Sequence, residues 1–374
     1  MIGLIEELNN GVAIYQATDE AADKSNLYCE FPWCPPDASC FVYQRQSADA
    51  LNPAEFVACD FGTWEKRVIG RGSTATMANC GQFYYQRQNA RGVEALIRVN
   101  LVSGEATPIP LPAGIPAEAR LVISPGERYL AYNQLLSYAP QSFAIGLADL
   151  QTGACEIIHA DPYICNPHQQ FEPGAGRWLL VQHNRGCRFT PDGRMKVLVG
   201  PEGATLFLLE IPSGNVIRLP VGPPDTASIS GHEAWVGTTG EILLTLNVND
   251  NYDLGKGPIV GIRPGRPAKS YCAPLQLSHI GSEPSGRFFC GDACAPDAIV
   301  IGSLRTQRVA TVGPARASFR RSVERHAWQD SHPHPYLSPD LRWVVYNSDF
   351  TGVQQVYCAQ VPPELIAELE AIAE

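Results

Sequence analysis

Ser338-Pro-Asp-Leu-Arg-Trp-Val-Val-Tyr346 reads as a turn running into a strand, and it has three echoes in the chain. These are Ser124-Pro-Gly-Glu-Arg-Tyr-Leu-Ala-Tyr132, Glu172-Pro-Gly-Ala-Gly-Arg-Trp-Leu-Leu-Val181 and Glu283-Pro-Ser-Gly-Arg-Phe-Phe-Cys290. Each joins a turn rich in Pro, Gly or Asp to an apolar strand through an arginine. A second echo, earlier in the chain, pairs Cys40-Phe-Val-Tyr-Gln-Arg-Gln46 with Gln82-Phe-Tyr-Tyr-Gln-Arg-Gln88.

Between the turns lie the next strands of the same units, such as Ser142-Phe-Ala-Ile-Gly-Leu-Ala-Asp-Leu-Gln-Thr-Gly153 followed by Ala154-Cys-Glu-Ile-Ile158. A repeat of about 40 to 55 residues, strand and turn throughout with no alternating helices, is the period of a β-propeller blade. Seven units begin near residues 31, 75, 118, 165, 229, 278 and 331, and a Gly-rich excursion from Arg185 to Gly203 lengthens the fourth. The expected fold is therefore all-β, a seven-bladed β-propeller over 31–361. Residues 1–30 form a segment that edges or closes it, and 362–374 a short C-terminal helix with Pro near its start and apolar residues at 365, 366, 369 and 372.

Composition bounds the partners. At 374 residues the chain is long enough for a substantial core. A formal charge of -10 supplies no broad cationic face for nucleic acid, so an anionic substrate needs a local positive patch or a metal. The N-terminus carries Glu6 and Glu7 where a signal peptide carries positive charge, and the apolar runs are strand-sized, which argues against a membrane span. The 12 cysteines include no CxxC pair and read as reduced, partly buried thiols. A cytoplasmic protein is expected; composition does not set its oligomeric state.

The histidines carry the chemistry. In His332-Pro-His334 an extended backbone puts both imidazoles on one face, with Gln329 returning from the loop before them. Two imidazoles and an amide oxygen make most of a metal site, although the same spacing also suits a surface turn. His168, His232 and His279 each stand a few residues before the turn that introduces the next strand, as His332 and His334 do, so units four to seven aim them at one end of the axis. Gln169 and Gln170 are candidate sugar hydrogen-bonders beside His168, and His183 and Asn184 follow an inner strand towards the same mouth.

Gly231-His-Glu-Ala-Trp235, Ser278-His279 and Gln329-x-x-His332-x-His334 followed by Ser338-Pro-Asp340 resemble the oligogalacturonate lyase family of seven-bladed propellers, best over about residues 160 to 360. The resemblance implies a divalent ion, expected to be manganese, held by His279, Gln329, His332 and His334, and a Brønsted base at His232. It also implies an arginine at the substrate about 25 residues before the base, but Gly203-Ala-Thr-Leu-Phe-Leu-Leu209 contains none. Arg185 and Arg188, at the start of the Gly-rich insertion, are the substitutes the sequence offers, the first as a catalytic residue and the second as a substrate contact.

The expected substrate is an anionic, uronate-containing oligosaccharide. A uronate C5 hydrogen becomes acidic once its carboxylate is coordinated, and a neutral imidazole takes the proton near neutral pH. Elimination of the C4 oxygen then leaves a 4,5-unsaturated sugar without any covalent nucleophile. Imidazole and amide donors suit several borderline metals besides manganese. Two other readings use the same fold: a noncatalytic binding propeller of the Tol-associated type, and a metal-dependent glycan hydrolase with Glu233 beside the bowl.

Overall fold

The computed structural model describes residues 2–78, 81–90, 94–247, 256–272, 275–294, 296–318 and 331–372. Four consecutive antiparallel sheets have the same form. Leu121–Ile123, Tyr129–Tyr138, Gln141–Asp149 and Cys155–Asp161 make the third blade, and Gln170–Phe171, Trp178–Asn184, Ala204–Glu210 and Val216–Arg218 the fourth. Ala234–Trp235 to Arg266–Tyr271 make the fifth, and Ile280–Ser282 to Val309–Gly313 the sixth. The Gly-rich excursion of the fourth blade folds as the small hairpin Arg188–Phe189 and Met195–Val197.

The first two blades are joined. Lys66–Ala78 is the outer strand of one and the inner strand of the next, and its pairing shifts between Ser73 and Ala75, where Thr74 takes φ 46°. The last blade, Tyr336–Leu337, Trp343–Ser348 and Gln355–Gln360, is completed by the other end of the chain. Ala13–Gln16 pairs along Gln355–Gln360, and Gly3–Glu7 pairs outside it. Joining the first strands to the last closes the ring and covers an edge that would otherwise recruit other chains. The expected all-β, seven-bladed propeller is the fold observed. Among the described residues the one helix is Pro363–Glu370, slightly shorter than the apolar spacing predicts. Leu365 and Leu369 are buried, whereas Ile372 lies beyond the helix end and is 73% exposed.

The repeated turn has a physical cause. The residue that opens it closes the hairpin with both backbone and side chain. Ser124 Oγ accepts from the Tyr129 N–H at 2.9 Å, Ser338 Oγ from the Trp343 N–H at 3.0 Å, and Glu283 Oε1 from the Phe288 N–H at 3.0 Å. The arginine that follows lies against the next aromatic ring: Arg128 on Tyr129, Arg177 on Trp178 and Arg287 on Phe288. In the fifth blade the same turn opens on Val236, whose N–H donates to the Glu241 carbonyl at 2.8 Å. Lacking the Ser/Glu-Pro signature, that turn escapes the sequence echo.

Apolar residues fill the spaces between neighbouring blades. Phe41, Tyr43 and Phe56 of the first pack with Trp343 and Val345 of the last, and Leu180, Leu206 and Leu208 of the fourth with Trp235, Ile242 and Leu244 of the fifth. The described cysteines are free, and most are buried. No helix among the described residues is long and apolar enough to cross a membrane.

Candidate metal centre

Counting back four positions from the residue that opens each turn gives Arg120, His168, His232, His279 and His334 in five successive blades. Each stands one or two residues before its innermost strand. Equal register in a radially repeated fold places side chains at equal height on the axis, and the rings do meet in order. His168 lies 6.2 Å from His232, His232 4.2 Å from His279, and His279 4.3 Å from His334, between centroids. His168 and His334 take φ of 42° and 44°, the left-handed region that non-glycine residues rarely enter and that concentrates at functional sites.

His332 joins this group, 5.4 Å from the His279 ring and 5.6 Å from His334. The His-Pro-His segment thus shares a face as its spacing implies, but by a left-handed step at His334 rather than a regular strand. Two asparagines fix its backbone. Asn347 donates its amide to the His332 carbonyl at 3.1 Å and its N–H to the Pro333 carbonyl at 2.9 Å; Asn26 donates to the His334 carbonyl at 2.8 Å.

One nitrogen from each of His279, His332 and His334 lies within 4.8 Å of the other two. Three nitrogens bound at about 2.1 Å to one ion lie about 3 to 4 Å apart, so a small inward adjustment would seat a divalent cation. His279 is prepared for that role. Its Nδ1–H donates to both oxygens of the buried Asp292, at 2.9 and 3.1 Å, and its backbone N–H to Asp292 Oδ1 at 2.9 Å. Nε2 is therefore the nitrogen that would bind the ion, in the carboxylate–histidine–metal arrangement. Burial raises the Asp292 carboxyl to about 7 against the pull of His334 and His332. Burial, then the neighbouring His279 and His332, holds His334 well below the ordinary imidazole range; a neutral ring is the metal-binding form.

Tyr28 reaches the cluster from the N-terminal segment. Its ring packs on His334 with centroids 4.6 Å apart, and its hydroxyl lies 2.6 Å from His232 Nδ1. Glu30 follows it, with Oε1 3.7 Å from His168 Nδ1. Burial raises Glu30 to about 7 and lowers His168 to about 4, Arg120 opposing the first shift and adding to the second. Glu233, 2% exposed, has no hydrogen-bond partner for either carboxyl oxygen among the described residues, and burial with nearby Glu30 raises it to about 8.

The remaining described candidates are engaged elsewhere. Gln170 is buried and donates its amide to the Glu233 carbonyl at 2.8 Å, fastening the His232 loop. His183 pairs with Asp161 at 3.0 Å and packs on Tyr163 and Phe207, and Asn184 is fully buried beside it. Arg185 is anchored to the Gly203 and Pro223 carbonyls, each at 2.9 Å, and Arg188 is exposed on the small hairpin. Gln329 lies outside the described residues.

Tyr28, Glu30, Arg120 and Asp292 escape sequence reading. Tyr28 and Glu30 lie in a stretch without periodicity, far in sequence from the histidines. Asp292 leaves one trace, a lone acid inside the apolar strand Phe288–Cys294.

No protein-family model matches the chain, and no curated protein matches it. Its fold is similar to that of solved oligogalacturonate lyases. The structure of the one from Vibrio parahaemolyticus superposes with a TM-score of 0.71 at 16% identity over 97% of each chain. An oligogalacturonate lyase in complex with manganese gives 0.71 at 15%, over 98% of this chain and 97% of that one. The β-propeller domain of Cps50 (Swd1) from Myceliophteria thermophila gives 0.53 at 10%, over 92% and 98%.

Proposed function

We propose that this propeller is a metal-dependent lyase that cleaves uronate-containing oligosaccharides by β-elimination. The observation that carries the reading is the position of His232, its ring 4.2 Å from that of His279 in a three-histidine metal group. A base beside a cation is what removal of a proton next to a carboxylate needs.

His279, His332 and His334 would hold the cation, with Gln329 as the proposed fourth donor. The cation supplies charge neutralisation for the uronate carboxylate and for the negative charge that develops on C5 proton removal. His232 takes that proton. The Tyr28 hydroxyl at Nδ1 fixes the ring's orientation, and in the tautomer whose Nδ1–H donates to that oxygen, Nε2 carries the lone pair that takes the proton. His168, kept neutral by burial, adds a hydrogen-bonding wall. Manganese is the proposed ion because a fold-similar lyase is solved with it.

The test is absorbance at about 235 nm, where the conjugated uronate formed by elimination absorbs and a hydrolysis product does not. Purified protein of measured metal content is incubated with a panel of oligouronates, with and without chelator. A chelator-sensitive rise is expected. Cleavage without a rise contradicts the lyase reading.

A further inference from the structure

The five-member register contains one residue that is not a histidine. Arg120 stands in the third blade where His168, His232, His279 and His334 stand in the next four, four positions before the turn and one before the innermost strand Leu121–Ile123. Its backbone is clamped on both sides. The Arg120 N–H donates to Asn133 Oδ1 at 2.7 Å, and its carbonyl accepts from Gln169 Nε2 at 2.8 Å, so the residue next to His168 holds it in place. The side chain is nonetheless exposed and, among the described residues, makes no ion pair, whereas Arg128, Arg177 and Arg287 are all paired to carboxylates.

A backbone fixed at the register of the histidines and carrying an exposed guanidinium suits recognition of an anion, because the planar fork binds a carboxylate through two parallel N–H donors. On a chain of net charge -10 a local cation is needed to attract an acidic sugar. We propose that Arg120 binds the carboxylate of a second uronate residue, in a subsite next to His168 and one sugar removed from the residue bound at the metal. This deepens the lyase reading and rests on it for the substrate class. The charge of Arg120 already reaches the site, since it acts on both Glu30 and His168. Were it only a counterion for Glu30, its loss would change stability but not affinity for acidic sugars.

The test is binding of trigalacturonate, and of its methyl-esterified neutral counterpart, by calorimetry to manganese-loaded wild type, Arg120→Gln and Arg120→Lys, each made inactive by His232→Ala, with 235 nm kinetics of the same three proteins retaining His232 in parallel. Arg120→Gln is expected to weaken trigalacturonate binding and raise KM about tenfold or more. It should leave metal content and kcat within about threefold, and flatten the salt dependence, with Arg120→Lys recovering part of the loss. The ester should bind all three proteins alike. Wild-type affinity for trigalacturonate in folded Arg120→Gln overturns the proposal while leaving the lyase reading intact. Arg120-dependent binding without any 235 nm product upholds the subsite and overturns the lyase reading. A wild type that binds no acidic sugar overturns both.

Discussion

Asp292 determines which nitrogen His279 offers, and so how the proposed metal group is built. Its carboxylate takes the Nδ1–H and the backbone N–H of the same histidine, which fixes the tautomer and the ring together. Such supporting carboxylates typically contribute one to two orders of magnitude to metal affinity. Asp292→Asn should therefore bind manganese about 10- to 100-fold more weakly while remaining folded, read by competition against a chelator of known affinity; unchanged affinity would show that the histidines need no such support. The histidines themselves were legible in the sequence because each stands a few residues before a turn, although the common distance of four emerges only once the fifth turn is seen at Val236. Their partners were not. Tyr28 meets His232 across 204 positions of sequence, and Asp292 reaches His279 across two strands of one sheet, so neither belongs to a local period. Arg120 obeys the same period but escapes a reading that follows histidines only.

The turn is the element on which the blades are built. The buried Glu283 receives three backbone N–H groups, from Ser285, Arg287 and Phe288, at 2.5, 2.6 and 3.0 Å. Ser124 and Ser338 close their turns with a neutral hydroxyl. Glu283→Ala leaves these three backbone donors and the Ser285 hydroxyl without their acceptor and should cost about 2–4 kcal/mol, against about 1 kcal/mol for Ser124→Ala. Denaturant melts of the two variants check the ordering; equal losses would contradict it. The echo of these turns made the blades readable, while the fifth was harder because Val236 does the same work through its backbone alone. The helix Pro363–Glu370 was legible from Pro and apolar spacing. Its end was not, because it is set from outside. The last carbonyls accept from Arg305 and Arg308 at 2.6 and 2.8 Å, after which the chain leaves the helix.

At the scale of the molecule, closure brings the two ends of the chain into one blade and the N-terminal Tyr28 into the histidine ring. The seven-unit count could be read from the sequence, but this convergence depends on which blades become neighbours. Convergence also buries acids. Glu233 sits at about 8 in the folded chain against 4.5 for an ordinary glutamate. Between those values the folded state holds a proton that the unfolded state releases, so stability falls as pH rises from about 4.5 to about 8 and levels off above. Glu233→Gln in metal-free protein should remove part of that fall, up to about 1.4 kcal/mol per pH unit, and be the more stable variant at pH 9. Parallel pH profiles of denaturant stability for wild type and variant would contradict the assignment. The central claim is a division of labour within one funnel, three histidines for the cation and His232 for the proton. The measurement that tests it most directly is metal content and 235 nm turnover of His232→Ala beside His332→Ala. His232→Ala is predicted to keep its metal and lose turnover by about two to four orders of magnitude, and His332→Ala to lose both together. Turnover at the wild-type rate by metal-loaded His232→Ala would contradict the account.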